Sequence, residues 1–336
     1  MNTTYETLMH DLHERNFHPV YYLMGEEAYY IDKVSDYIAD NVLPEEERDF
    51  NQMVLYGPDV TMKQILETAM RYPMMSEYTV IIVKEAQAIK ATDDLEKYAI
   101  HPMPSTILVF CHKNGSLDKR KKLGGILTKS DNCVVFESNK LKDGELHVFV
   151  RTYLKQYDIT IDEKSTQIIA DSIGSDLNRL SSELDKLRIG IGDDRRITPE
   201  IVEKHIGVSK DFNAFELRQA IVSKDVFKAN QIVDYFAKNP KAGNVYSLVP
   251  LLFQYFANLM QAHYSPKKDA RSIGEWLGVS PWIAREYVVG LEKFSARKTL
   301  DIIDKLRETD AKGKGLDNPN TPPSELMQEL IHFILH

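Results

Sequence analysis

Along the first 140 positions, short apolar runs alternate with stretches whose apolar residues recur every three or four places. Pro19–Met24 (Pro-Val-Tyr-Tyr-Leu-Met) predicts a first strand. Gly25-Glu26-Glu27 then turns into a helix carrying Ala28, Tyr29, Ile31, Val34, Tyr37 and Ile38. Phe50–Leu55 predicts a second strand, closed by a Gly57-Pro58-Asp59 turn. Thr61 and Gln64 have the spacing of a capping box ahead of Met62, Ile65, Leu66 and Ala69, so a helix is expected to begin there. Pro73 lacks the N–H a helix interior needs and pushes Tyr72 out of the α region, which ends that helix. Thr79–Val83 is apolar on both faces and rich in β-branched residues, as a strand buried in a parallel sheet requires. Thr106–Cys111 and Cys133–Phe136 supply a fourth and a fifth strand. Strands alternating with helices in this way predict a parallel α/β sheet.

Past residue 141 the strand pattern disappears. Phe149, Tyr153 and Leu154 share one helix, Ile168, Ile169 and Ile173 another, and Gly174–Leu180 leads into Leu184 and Leu187 at helical spacing. Thr198-Pro199-Glu200 is a helix start with proline at the first helical position. Ser209-Lys210-Asp211 marks a boundary, after which the chain reads helical almost throughout. Phe215, Leu217, Ala220 and Ile221 mark one of these helices. Leu248, Leu251, Leu252, Phe256 and Leu259 mark another, apolar enough to suggest a partner surface. Thr309–Gly315 is expected as a flexible loop before a last helix, Ser324–Leu335.

The connection Tyr72-Pro73-Met74-Met75-Ser76-Glu77-Tyr78 places two large apolar side chains between a helix and a strand. Two readings stand on the residues alone. Met74 and Met75 fill a core gap where helix meets sheet, or they project as a soft plug for a partner's pocket, a role that suits a flexible, polarizable side chain. Burying both fully would contribute roughly 3–6 kcal/mol before the costs of association.

Composition narrows the function. At 336 residues, with 43% hydrophobic and 27% charged residues, two or three soluble domains are expected. No run of about eighteen apolar residues is present to span a membrane. Met1-Asn2-Thr3-Thr4-Tyr5-Glu6 lacks the basic-then-apolar pattern of a signal peptide. Two cysteines, Cys111 and Cys133, form neither a disulfide framework nor a metal set, so no metal ligand is assigned and the cytoplasm is the expected compartment. A net charge of −8 argues against strong nucleic-acid binding by the chain alone, though not against one basic surface working inside a complex.

Strand, glycine and helix start at Gly25 is the layout of a phosphate-binding loop, but the chemistry is missing. Glu26 and Glu27 occupy the turn and would repel a triphosphate. Lys84-Glu85 stands where an ATPase of this layout carries an acidic pair for Mg²⁺. No catalytic residue and no cofactor are therefore assigned. Between strands four and five, Lys119, Arg120, Lys121 and Lys122 belong to a run of six basic residues from Lys113 to Lys129. That run is either a phosphate-facing patch or a solvated helix start. Ile273–Ala284 resembles a helix-turn-helix, but Trp282, Ile283, Tyr287 and Val288 on its second helix, with Arg285 nearly alone, favour packing over DNA reading.

Together these pieces resemble the delta subunit of the bacterial DNA polymerase III clamp loader. The stretches that carry the resemblance are Val20–Glu27, Pro73–Val83, Leu117–Lys122, Gly174–Leu187, Asn213–Leu217 and Thr309–Gly315, which span the chain in family order. No single stretch is specific, but their combination is. The resemblance implies an α/β fold followed by an all-α one. An AAA+-type parallel-sheet domain with a degenerate nucleotide site covers 1–140, a small helical lid domain 141–209, and a helical collar (oligomerisation) domain 210–336. In that family the helix-to-strand connection of the first domain enters a pocket on the ring-shaped sliding clamp (the beta subunit) and holds one interface open. The matching positions are Pro73, Met74 and Met75, which favours the plug reading. The family usually places a phenylalanine here, so the Met-Met pair is a departure that keeps the apolar character. Arg179 matches a nucleotide-sensing arginine of AAA+ proteins and is expected as a relic held by local carboxylates.

The implied protein is a subunit of a DNA-directed DNA polymerase holoenzyme, a nucleotidyltransferase complex, with no catalysis of its own. Its partners would be the sliding clamp, the gamma/tau and delta prime subunits through the C-terminal domain, and primed DNA within the complex, with no membrane. An active AAA+ ATPase would instead show ATP-dependent thermal stabilisation. A helix-turn-helix regulator would bind duplex DNA tightly through residues 212–336. Delta prime generally carries a cysteine-rich zinc module and a Ser-Arg-Cys arginine, and this sequence has neither.

Overall fold

The apolar runs of the first 140 residues assemble into one five-stranded sheet in the order β2-β3-β4-β1-β5, every pair parallel. The computed structural model describes residues 3–141, 143–192, 194–318 and 320–336, so Met1 and Asn2, part of the stretch read above as lacking a signal-peptide pattern, lie outside the described residues. The chain divides into two compact units, 1–140 and 141–336.

In the first unit the strands are β1 (Val20–Gly25), β2 (Gln52–Tyr56), β3 (Thr79–Lys84), β4 (Thr106–Lys113) and β5 (Cys133–Ser138). The helices are α1 (Tyr5–His13), α2 (Ala28–Asn41), α3 (Glu45–Asn51), α4 (Met62–Ala69), α5 (Asp93–Ile100) and α6 (Lys122–Lys129). Side chains alternate across the strands, so each face of the sheet has its own core. Tyr22, Met24, Ile81, Val83, Leu108 and Phe110 meet Ile65 and Leu66 of α4 on one side. Tyr21, Leu23, Val80, Ile82 and Val109 meet Leu8, Leu12, Ile31 and Val34 on the other. Burial on both faces is why β1, β3 and β4 read as continuous apolar runs rather than alternating ones. The strand order is that of the AAA+-type sheet expected from the resemblance. Cys111 and Cys133 are free and buried, and burial pushes the Cys111 thiol up to about 11.

The capping box is present as read. Thr61 Oγ1 accepts from the Gln64 N–H at 3.4 Å, and Gln64 Oε1 accepts from the Thr61 N–H at 2.9 Å. Met62, Ile65, Leu66 and Ala69 are all buried. One boundary differs. Phe50 and Asn51, expected in the second strand, close helix α3, and the strand begins at Gln52. An edge strand paired on one side only gives a weak periodic signal, and its exposed Met53, Val54 and Tyr56 do not mark where it begins.

The second unit is a helical assembly: α7 (Asp143–Lys155), α8 (Glu163–Ile173), α9 (Leu177–Gly190), α10 (Pro199–Ile206), α11 (Ala214–Ser223) and α12 (Val226–Lys238). It continues through α13 (Val245–His263), α14 (Ala270–Leu277), α15 (Pro281–Lys293), α16 (Ala296–Gly313) and α17 (Pro323–Leu335). Two short parallel strands, β6 (Thr160–Ile161) and β7 (Arg196–Ile197), are too brief to show a period and were not expected.

Two expectations for this unit are corrected. Thr309–Gly315 is not a loop, because α16 runs on to Gly313 with Thr309 buried and its hydroxyl bonded to the Lys305 carbonyl. The apolar residues from Leu248 to Leu259 face inward, since α13 is the central helix, packed against α14, α15, α16 and α17. A helix surrounded by neighbours is apolar nearly all round. Only Phe253 among its large apolar residues in that span stays exposed. The helix-turn-helix reading of 273–284 also resolves as packing, with Trp282 stacked on Phe215 and Ala284 and Tyr287 buried.

Candidate functional site

Helix α4 ends at Ala69 with Met70 as its cap, and the next eight residues descend to β3 without regular structure. Asn51, the last residue of α3, fixes their path. Its Oδ1 accepts from the Met74 N–H at 2.6 Å and its Nδ2 donates to the Met74 carbonyl at 3.0 Å and to the Glu47 carbonyl at 3.2 Å. Asn51 is only 3% exposed, so both bonds lie out of water. Met75 follows in the left-handed region, at a φ of 55°, a conformation unusual for a side-chain-bearing residue. Ser76 Oγ then donates to the Tyr78 carbonyl, and Tyr78 packs edge-on against Phe17.

The two methionines are therefore not core fillers. Met74 is 64% exposed and Met75 fully so, while Pro73 before them is half-buried. Tyr72 and Met70 extend the apolar surface, and Phe50, Met53, Val54 and Tyr56 stand exposed on the neighbouring α3–β2 segment. Beside the loop, Leu66, Met70, Tyr98, Met103 and Pro104 line an open groove of about 630 Å³. Exposed large apolar side chains on two neighbouring segments mark a candidate contact surface. Asn51 is the residue that sequence reasoning missed. An asparagine at a helix-to-strand junction was a usable signal, but placing it inside a strand hid its role.

The layout of a phosphate loop is present at Gly25, and its chemistry is not. Gly25 has a φ of 133° and passes so close to Ser138 that an added Cβ would lie 2.0 Å from the Ser138 carbonyl oxygen. Its N–H donates to the Gly115 carbonyl at 2.8 Å. Glu27 is buried, and its carboxylate accepts the Tyr29 N–H at 2.9 Å, capping α2. The helix start that would hold a phosphate is thus taken by the chain's own anion, while Glu26 stands exposed beside it. At the end of β3, Lys84 Nζ donates to Ser35 Oγ at 2.8 Å and to Asp36 at 3.2 Å. Asp32 lies 3.7 Å from Lys84 and 2.7 Å from Lys113. Lysines tied to α2 carboxylates therefore fill the place of a metal-binding acidic pair. Arg179, in the second unit, lies exposed on α9, where its N–H meets the Asp176 cap. Among the described residues no carboxylate pairs with its side chain, contrary to expectation.

The basic run is largely compensated. Lys119 meets Glu137 at 2.6 Å, Arg120 meets Asp118 at 3.0 Å and Lys122 meets Glu96 at 2.6 Å. The Arg120 side chain and N–H hold the Asp118 carboxyl below its ordinary value. Lys121 sits exposed at the start of α6. Ion pairs this exposed contribute little, and phosphates can displace them. Among the described residues no helix is long and apolar enough to cross a membrane, and no group of three or more His, Cys, Asp or Glu is placed to hold a metal ion.

Residues 21–138 match the family described as "DNA polymerase III, delta subunit". The chain is similar to the DNA polymerase III subunit delta of Bacillus subtilis, 26% identical over 306 residues that cover 87% of each. Its fold is similar to the solved Bacillus subtilis DNA clamp loader delta protein, with a TM-score of 0.56, 24% identity and 99% of each chain covered. The Thermotoga maritima RuvB Holliday junction branch migration motor is a more distant neighbour, 15% identical over 86% of this chain and 85% of that one. Its TM-score of 0.38 supports no argument.

Proposed function

We propose, for a chain that belongs to the delta-subunit family of DNA polymerase III, that it binds a sliding clamp (the beta subunit) and opens it without hydrolysing ATP. The observation that carries this reading is the pinned loop with Met75 fully exposed at its tip and Met74 beside it. A plug held in one conformation before contact loses less ordering entropy on docking than a loose segment does. Opening would follow from differential affinity: a plug that fits the open ring better than the closed one shifts the ring toward open. Pro73 sets the entry to the loop, and Met74 and Met75 make the contact.

The chain's own nucleotide chemistry is absent from this reading. Gly25, Glu26, Glu27 and Lys84 mark a degenerate site in the first unit, with the α2 start capped by Glu27 and Lys84 held by Ser35, Asp36 and Asp32, and Arg179 of the second unit is read as the relic of a sensing arginine. ATP-driven changes would come from gamma/tau and delta prime, joined through a collar at 210–336, with 1–140 and 141–209 as AAA+-like and lid domains. Primed DNA would meet the complex at Lys119, Arg120, Lys121 and Lys122, where exposed ion pairs can exchange a carboxylate for a phosphate. The cytoplasm is where such a complex would act.

The test is binding of the purified chain to its own organism's clamp, wild type beside the Met74→Ala, Met75→Ala double variant. Scaling about 1.5–3 kcal/mol per fully buried methionine by the two exposures gives a loss of roughly 2.5–5 kcal/mol, with folding unchanged. Binding by wild type that the double variant matches would move the contact elsewhere. No binding by wild type would overturn the function.

A further inference from the structure

A cavity of about 430 Å³ lies within the second unit, between α7, α8, α11, α13 and α15, in the size range of small-molecule sites. It opens past Ser175, Pro250 and Gln254, which stand in solvent. Its wall holds a buried ion triad. Arg218 Nε and Nη2 donate to the two carboxylate oxygens of Glu286 at 2.7 and 3.4 Å, and Arg218 Nη1 donates to Asp171 at 3.2 Å. Two carboxylates share one guanidinium, which leaves the wall one positive charge short. Burial raises Glu286 above its ordinary value, with Arg218 opposing and Asp171 adding to the rise.

Among the described residues, three further polar atoms in the wall have no hydrogen-bond partner. Neither ring nitrogen of His147 makes a hydrogen bond, and neither does Gln167 Oε1, although the residues are only 8% and 5% exposed. Gln167 lies near enough to favour a proton on His147, but the two do not close a hydrogen bond, and Gln167 Nε2 is turned to Asp171 at 2.7 Å. Burial lowers His147, with Asp171 opposing, so the ring is neutral and offers one lone pair. The nearby Arg151 and Glu163 neutralise each other at 2.6 Å and supply no counter-charge. Tyr255 and Tyr287 stack at 5.0 Å and add aromatic surface to the same wall. Buried polar groups in native proteins are almost always paired, so unmade polar atoms closed into the wall of a charge-deficient cavity point to something that fills it and draws them out.

We infer that this cavity binds a small organic cation, a guanidinium or alkylammonium head, which offsets the Asp171–Arg218–Glu286 charge and donates to His147 and Gln167 Oε1 once their side chains turn toward it. A cation supplies donors where the wall supplies acceptors, and the tyrosine faces suit its apolar stem. The head has two possible sources, a free small molecule or an arginine or lysine side chain of a neighbouring subunit.

The test titrates the full chain with agmatine, n-butylamine and neutral N-butylurea, following the His147 ring signals by NMR and the heat of binding. Saturable one-to-one binding of agmatine or butylamine is expected, with N-butylurea weaker by roughly tenfold or more, the effect of removing charge from the hydrogen bonds. Gln167→Leu and His147→Leu should each weaken the cation by about tenfold. The same titration on the chain assembled with its partner subunits separates the sources, since retained binding assigns a free cation and lost binding assigns a partner's side chain. No saturable response at His147, equal binding of the urea, or wild-type affinity in both variants would overturn the site. The arms on the isolated chain do not depend on clamp opening, so either idea can fail without the other.

Discussion

Replacing Asn51 by alanine tests whether the loop acts by being held rather than merely by being apolar. Asn51 touches no solvent to speak of and projects nothing toward a partner, so its effect on binding can only be indirect. The substitution removes both bonds to Met74, at 2.6 and 3.0 Å, and frees the left-handed Met75 to leave its conformation. At about 0.5–1.5 kcal/mol net for each bond, the pin contributes roughly 1–3 kcal/mol to the loop's order. That figure also caps the loss of affinity, because a released loop can re-form on docking at no greater cost. Clamp binding should therefore weaken by about 5- to 150-fold. Calorimetric titration with the clamp reads this directly, and amide exchange at Met74 and Met75 reports whether the loop has loosened. In the Met74→Ala, Met75→Ala background the effect of Asn51→Ala should shrink, since a pin has no use without its plug. Exchange that speeds up while clamp affinity stays within twofold of wild type would refute the argument.

Other consequences can be measured in the same preparation. Arg218→Leu strands Asp171 and Glu286 without their guanidinium and should destabilise the second unit by about 3–5 kcal/mol, read from its urea midpoint. His147 is depressed in the fold, so the unfolded chain takes up its proton first as pH falls. Its contribution is fully present above about 6.5 and is lost on acidification through the folded value. His147→Leu should flatten the fall in stability on acidification, although His112 and His263, also lowered by burial, will keep part of it. Neutralising Lys119, Arg120, Lys121 and Lys122 should reduce clamp loading on primed DNA while leaving clamp binding alone. Equal loss of both would sink the DNA-facing role.

The sheet was legible because β1, β3 and β4 are buried on both faces, and burial is what an apolar run encodes. The loop's position was legible from Pro73 and the Thr61–Gln64 box, which bracket its helix by local chemistry alone. Exposure of Met74 and Met75 was legible only through the family resemblance, because an apolar residue at a junction looks the same whether it points in or out. The pin was hidden for a related reason: Asn51 acts on a residue 23 positions away. The bonds of the Asp171, Arg218 and Glu286 triad bridge longer separations still, up to 68 positions. The same limit made α13 look like a binding face. Periodicity shows that a helix has apolar sides but not how many neighbours cover them.

The buried carboxylate of Glu27 has a consequence for how this subunit could change over evolutionary time. A return to nucleotide binding would have to begin by clearing that side chain from the start of α2. The first step would remove a helix cap, costing about 0.5–2 kcal/mol. It would confer nothing until lysine, hydroxyl and acidic pair arrived as well. Each intermediate would be less stable than its parent and no more active. On the proposed reading, the loss of ATP chemistry would work as a ratchet, enforced at the head of one helix by the stability of the fold itself.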